Sequence, residues 1–131
     1  EKIELCLRGV IIKEQNDDIN NIPPHIHQKL KDRLQIAIRK NPALDQDSFN
    51  TLKGILEYAD LRDLEDIIAS STTWPKVESL FGSKGNLEIR FGQLAELRNA
   101  IRHSRTVTDV VQKDGEAAIM WFKDVLQKYQ K

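Results

Sequence analysis

The sequence is short of the features that mark several common kinds of protein. It has one cysteine, Cys6, in 131 residues. No internal disulfide can form, and the lone thiol reads as a small core side chain in a reducing compartment. It has no excess of either charge, since 20 basic residues stand against 20 acidic ones. Net charge therefore gives no pointer to nucleic acid or to an anionic membrane. No apolar run approaches the roughly 20 residues that cross a bilayer, and no signal peptide is visible, so a cytoplasmic protein is expected. There is no strand-like alternation, internal repeat or low-complexity tract. The length suits one domain with a real core and is too short for two. The chain opens on Glu1, already inside an amphipathic pattern, which reads as one domain, residues 1–131, of a larger protein.

Glycine and proline are also scarce, six and four residues, and they fall where helices should start or stop. Residues 1–15 place Ile3, Leu7, Val10 and Ile11 on one helical face that Gly9 weakens. Pro23 and Pro24 open a second helix carrying Ile26, Leu30, Leu34, Ala37 and Ile38, which Asn41-Pro42 ends. A third follows "DQDS", with Asp47 or Ser48 as cap, and buries Phe49, Leu52, Leu56 and Ala59. Asp60 caps a short continuation bearing Leu61, Leu64, Ile67 and Ile68. Pro75 starts one or two turns that Gly82 closes. The spacing predicts a long helix from about Leu87 to Ser104, then a last one from about Glu116 to Tyr129 with Ala118, Phe122, Val125, Leu126 and Tyr129 inward. The expected fold is all-α, a helical bundle of about four long helices plus short ones.

Neutrality overall conceals two charged segments. Residues 84–105 hold five bases against two acids, whereas residues 57–66, "EYADLRDLED", hold five acids against one base. The basic segment contains "QLAELRNAIRHSRTVTD". On a helical wheel of ~100° per residue, Leu87, Leu94, Leu97 and Ile101 gather into one arc with Phe91 at its edge. Arg98 falls within roughly 40° of Leu94, while Asn99 and His103 lie roughly 140° and 180° away and share a face as an i, i+4 pair. A plain structural account exists. Arg98 can lay its methylenes along the core and send its guanidinium to water or to the acids between Glu57 and Asp66. Asn99 and His103 would then be ordinary surface residues.

The order of residues points further. The chain has 8 Arg, 7 Asn and 3 His, so Arg-Asn, then any three residues, then His arises in only about 1% of shuffled sequences. "RNAIRH" resembles the RNxxxH signature of the HEPN superfamily. "YADLRDLEDII", "TTWPKVESLFG", "ELRNAIRHSR" and "DGEAAIMWF" extend the likeness over most of residues 45–126, and "IPPHIHQKLKDRL" fits more loosely. They are similar to the branch of that superfamily attached to large bacterial defence and RNA-processing proteins. The resemblance implies a small all-α domain, metal-independent ribonuclease activity without a cofactor, and a site built at a homodimer interface. In the toxin branch a tyrosine that an antitoxin modifies often follows the histidine by two residues. Here that position is Arg105, which argues against regulation of that kind.

The chemistry explains why such residues would be grouped. Metal-free RNA cleavage uses the 2′-hydroxyl as nucleophile. It needs a base for the hydroxyl proton, a cation for charge on the phosphoryl group, and an acid for the leaving 5′-oxygen. Histidine is the side chain whose ordinary chemistry suits proton transfer near neutral pH, and His103 is the candidate for it. Arg98 grips phosphate through its planar fork, Asn99 orients the phosphate or the imidazole, and Arg102 and Arg105 hold neighbouring phosphates. One histidine cannot be base and acid in the same step, and Arg98 diverges from it by roughly 140° on an ideal helix. An isologous dimer eases both problems by bringing the same helix from two copies face to face. The rival readings are a non-catalytic HEPN module for dimerisation or RNA or nucleotide binding, and a helical scaffold in which the motif is coincidence.

Other candidates are weaker. His25 and His27 in "HIH" point about 160° apart on a helix and have no cysteine or carboxylate set to complete a metal site; none is expected. "GSKGN" lacks the strand that precedes a phosphate-binding loop. Trp74, Trp121 and Phe122 read as core rather than as base-stacking platforms.

Overall fold

The computed structural model describes residues 2–44, 50–103 and 106–130. It is all-α: seven helices and no strand among the described residues. These are α1 (Lys2–Glu14), α2 (Pro24–Lys40), α3 (Leu52–Ile55), α4 (Leu61–Ala69), α5 (Trp74–Phe81), α6 (Lys84–Arg102) and α7 (Asp109–Gln130). Short 3-10 turns occupy Ile19–Asn21 and Leu56–Tyr58. Four of the helices are long and three short, as the periodicity predicts. None of the described helices is long and apolar enough to cross a membrane. Two compact units are distinguished, residues 4–77 and a unit dominated by the chain from Glu78 onward.

In the first unit, α2 packs on α3, α4 and the turn between them. Ile26, Leu30 and Leu34 of α2 are buried, as are Leu52, Ile55, Leu64, Ile67 and Ile68, whereas Ala37 and Ile38 are only partly covered. The predicted Asp60 cap is present and reciprocal. Its carboxylate accepts from the Asp63 N–H at 2.9 Å, and the Asp63 carboxylate accepts from the Asp60 N–H at 3.0 Å. The Asp47 or Ser48 cap and Phe49 lie outside the described residues; within them, Thr51 caps α3 by accepting from the Gly54 N–H at 3.1 Å. The third helix is far shorter than its apolar pattern suggests, because the chain tightens into a 3-10 turn at Leu56. Cys6 is partly exposed rather than a full core residue.

Three of the five acids of residues 57–66, Asp60, Asp63 and Glu65, are engaged locally. Arg33 of α2 pairs with Asp63, donates to the Tyr58 carbonyl at 2.8 Å, and approaches Asp60 at 3.4 Å. Lys29 lies 3.0 Å from Asp63, and Arg62 pairs with Glu65 at 2.6 Å. Burial pushes the Asp63 carboxyl up, but the Asp60 N–H, the hydrogen bonds of Arg33 and Lys29, and the charge of Arg33 together hold it below the ordinary carboxylate range. A carboxyl whose folded value is depressed stabilises the fold fully above its unfolded value of about 4, and that contribution is lost as pH falls through the folded value. Acid titration of stability should therefore show a loss beginning near pH 4 that Asp63→Asn removes, read as the difference between the two proteins' denaturant midpoints at pH 7 and pH 3.

The unit from Glu78 onward is organised by α6 and α7, which pack along each other. Ser83 caps α6 by accepting from the Asn86 N–H at 3.1 Å, after Gly82 turns the chain at φ +89°. Lys84 to Asn86 are thus the first turn of α6 rather than a loop leading into it. Thr108 accepts from the Val111 N–H at 3.2 Å, so α7 starts at Asp109, about two turns before the expected Glu116. "KDG" reads as a break, yet Gly115 lies inside the helix for a steric reason. Its position faces Leu97 of α6, and a Cβ there would overlap the Leu97 side chain. In an exposed helix Gly→Ala gains roughly 1 kcal/mol. Here Gly115→Ala should destabilise instead, by about 1–3 kcal/mol, measured as a lowered thermal midpoint.

The core of this unit is aromatic. Phe91 and Phe122 are wholly buried and meet edge to face with ring centres 4.9 Å apart. Trp121 meets Phe122 at 5.0 Å and Phe81 at 6.1 Å. Trp121 is only partly buried; Trp74, which belongs to the first unit, is buried there as expected of a core residue. The Arg90 guanidinium lies 5.9 Å from the Trp121 ring centre, within cation–π range.

Candidate active site

Four residues bury themselves from α6: Leu87, Phe91, Leu97 and Ala100. Leu94 and Arg98 are partly covered, in the same arc. Arg98 thus occupies the rim of the apolar stripe, as its wheel position predicts. Ile101 departs from the prediction, being 63% exposed. It stands in the last turn of α6, one residue before the helix ends at Arg102, where lateral packing has run out.

Asn99, Arg102 and His103 are all exposed. His103 is the residue on which α6 stops. Its backbone leaves helical geometry at φ −97°, ψ 13°, while its N–H still donates to the Asn99 carbonyl at 3.0 Å. The backbone, not the imidazole, closes the helix. Asn99 and His103 share the solvent side of the last turn, and Arg102 is adjacent. Arg98 points to the other side of the helix, roughly 140° from His103. Within one chain the helix therefore sets Asn99 and His103 on one face, places Arg102 between that face and Arg98, and turns Arg98 away from the imidazole. Arg105 lies outside the described residues.

No family model matches this chain, and no curated protein or solved structure matches it.

The "HIH" residues behave differently from the motif. His25 is exposed and His27 partly covered. Burial and then the charge of Lys31 pull the His27 titration below the ordinary histidine range. No group of three or more His, Cys, Asp or Glu suited to a metal occurs among the described residues.

Sequence reading passed over a second feature beside the motif. Ile89, Gly92, Gln93 and Glu96 of α6 and Val111 and Asp114 of α7 line an open groove of about 370 Å³. Its α6 positions follow the 3–4 spacing that continues to Asn99 and His103. The signal was present in that spacing, but it lies opposite the apolar stripe, where polar residues are normally read as solvated surface.

Proposed function

We propose that the protein is a metal-independent RNA endonuclease of the HEPN type, a domain of a larger bacterial defence or RNA-processing protein. Its site is completed when two copies bring their α6 ends together. The observation that carries this reading is the RNxxxH arrangement at the end of a long helix, with Asn99, Arg102 and His103 exposed on its final turn. That is where a substrate phosphate can reach them.

The reaction balances without a metal. One histidine takes the 2′-hydroxyl proton, O2′ forms a bond to phosphorus, and the bond from phosphorus to O5′ breaks. The second copy's histidine protonates the departing oxygen, leaving a 2′,3′-cyclic phosphate and a 5′-hydroxyl. Arg98 supplies positive charge to the phosphoryl oxygens, Asn99 orients the phosphate or the imidazole, and Arg102 and Arg105 hold flanking phosphates. The divergence of Arg98 and His103 on one helix, and the need for a base and an acid in one step, are the reasons a pair of chains is required, so one shared cleft holds an arginine and an imidazole from each chain.

Single-stranded RNA incubated with the purified chain and chelator should yield cyclic-phosphate ends, and sedimentation should show a dimer. A monomer that cleaves, or a dimer that binds RNA with steep salt dependence and never cuts it, would reject the composite nuclease. The second outcome fits a non-catalytic module, a reading favoured by the exposed Ile101 beside the motif, an apolar side chain placed for contact rather than for chemistry.

A further inference from the structure

The groove beside the motif has a composition that suits one class of ligand. Ile89 and Val111 provide apolar walls and Gly92 leaves the α6 surface low between them. Polar groups comprise one amide, Gln93, and two carboxylates, Glu96 on α6 and Asp114 on α7. Arg90 donates to the Gln93 side-chain oxygen at 3.3 Å, which leaves the amide's NH2 as the group it can offer a ligand. The groove therefore presents a hydrogen-bond donor beside carboxylate acceptors, over an apolar floor. Its volume lies within the range of about 300–1,000 Å³ usual for small-ligand sites.

An RNA phosphate is excluded from such a place by like charge. A base is not, and single-stranded RNA is read through splayed bases bonded along their Watson–Crick edges. Among the four bases, guanine offers two adjacent donors, N1–H and the N2 amino group, next to the acceptor O6. The two oxygens of one carboxylate match the donor pair, and an amide NH2 matches O6. Cytosine and adenine each place a ring-nitrogen lone pair beside their single amino donor, which would oppose the second carboxylate oxygen. Uracil has one donor between two carbonyls.

Position ties this groove to the motif. Glu96 precedes Asn99 by three residues and His103 by seven, a rise along α6 of about 4.5 Å and 10 Å. On the wheel, Ile89, Gly92, Gln93, Glu96 and His103 fall within roughly 100° of arc. A nucleotide whose phosphate meets His103 thus has a neighbour within reach of Glu96.

Resting on the nuclease reading, we infer that the α6–α7 groove is a base-specificity pocket for guanine in single-stranded RNA. Glu96 accepts from N1–H and the N2 amino group, and Gln93 donates to O6. Arg102 holds the backbone, and the carboxylates turn the chain so that a base rather than a phosphate enters.

The test separates this inference from the nuclease itself. Binding is measured by fluorescence anisotropy with the full chain carrying His103→Ala, using single-stranded oligonucleotides that differ only in guanine or inosine, which lacks the N2 amino group. Guanine should bind about tenfold more tightly than inosine, the discrimination expected of one good paired contact. Glu96→Gln, which replaces one acceptor oxygen by a donor, should bring that ratio to about one, with circular dichroism checking the fold. Cut sites of the unmodified protein on a random-sequence RNA should be enriched in guanine beside the cleaved bond. Cleavage without guanine enrichment and with equal binding of the two oligonucleotides overturns the pocket and leaves the nuclease standing. Guanine-selective binding with no cleavage overturns the nuclease and leaves the pocket. Failure to bind either oligonucleotide overturns both.

Discussion

His103→Ala should lower RNA cleavage by about 10²–10⁴-fold, the usual contribution of a positioned general acid or base, and leave the thermal midpoint nearly unchanged. Both halves of that expectation come from the end of α6. The imidazole is exposed, and the helix is closed by the His103 backbone N–H on the Asn99 carbonyl, which alanine supplies equally well. Asn99→Ala should reduce the rate less, since it orients and does not transfer a proton. In a dimer whose one cleft needs both imidazoles, mixing His103→Ala with unmutated chains gives a sharper result. Only dimers of two unmutated chains keep the base and the acid together, so activity should fall toward about a quarter of the unmutated level at equal, random pairing. A mixture that keeps about half of it would mean that each imidazole acts at a site of its own.

The fold was readable where local chemistry settles it. Asp60 is a side-chain cap, and a cap is a property of four consecutive residues. The apolar repeats of α2 and α7 likewise declare their buried faces. The errors fall where a distant residue decides. Gly115 resembles a helix break, and only Leu97 on α6 shows why a glycine is needed inside α7. Ile101 fits the apolar stripe by angle, but burial depends on what lies alongside the last turn. Asp63 looks like one acid in a solvated run, and it is buried because Lys29 and Arg33 reach it from α2. The site was partly legible for the same reason. Asn99, Arg102 and His103 belong to one turn, so order in sequence becomes proximity in space. The groove needs α7 to exist, and Asp114 acquires meaning only beside Glu96.

Phe122→Ala should destabilise the protein by roughly 3–5 kcal/mol, the range for removing a large buried aromatic. That is a large share of the roughly 5–15 kcal/mol that holds an ordinary domain together. Phe122 has no exposed surface and joins two ring contacts, to Phe91 across the helix pair and to Trp121 beside it. The site would be lost by a different route from that in His103→Ala. Asn99 and His103 stay aligned only while α6 is a helix, and most of a helix's stability inside a protein comes from the packing of its apolar face. Hydrogen exchange should therefore accelerate across α6 and α7 in Phe122→Ala, with cleavage falling as the folded fraction falls. Phe122→Leu, which keeps most of the apolar volume, should restore much of both. Were Phe122→Ala to lose cleavage while exchange in α6 stayed slow, the ring would have a role at the substrate that its complete burial does not allow.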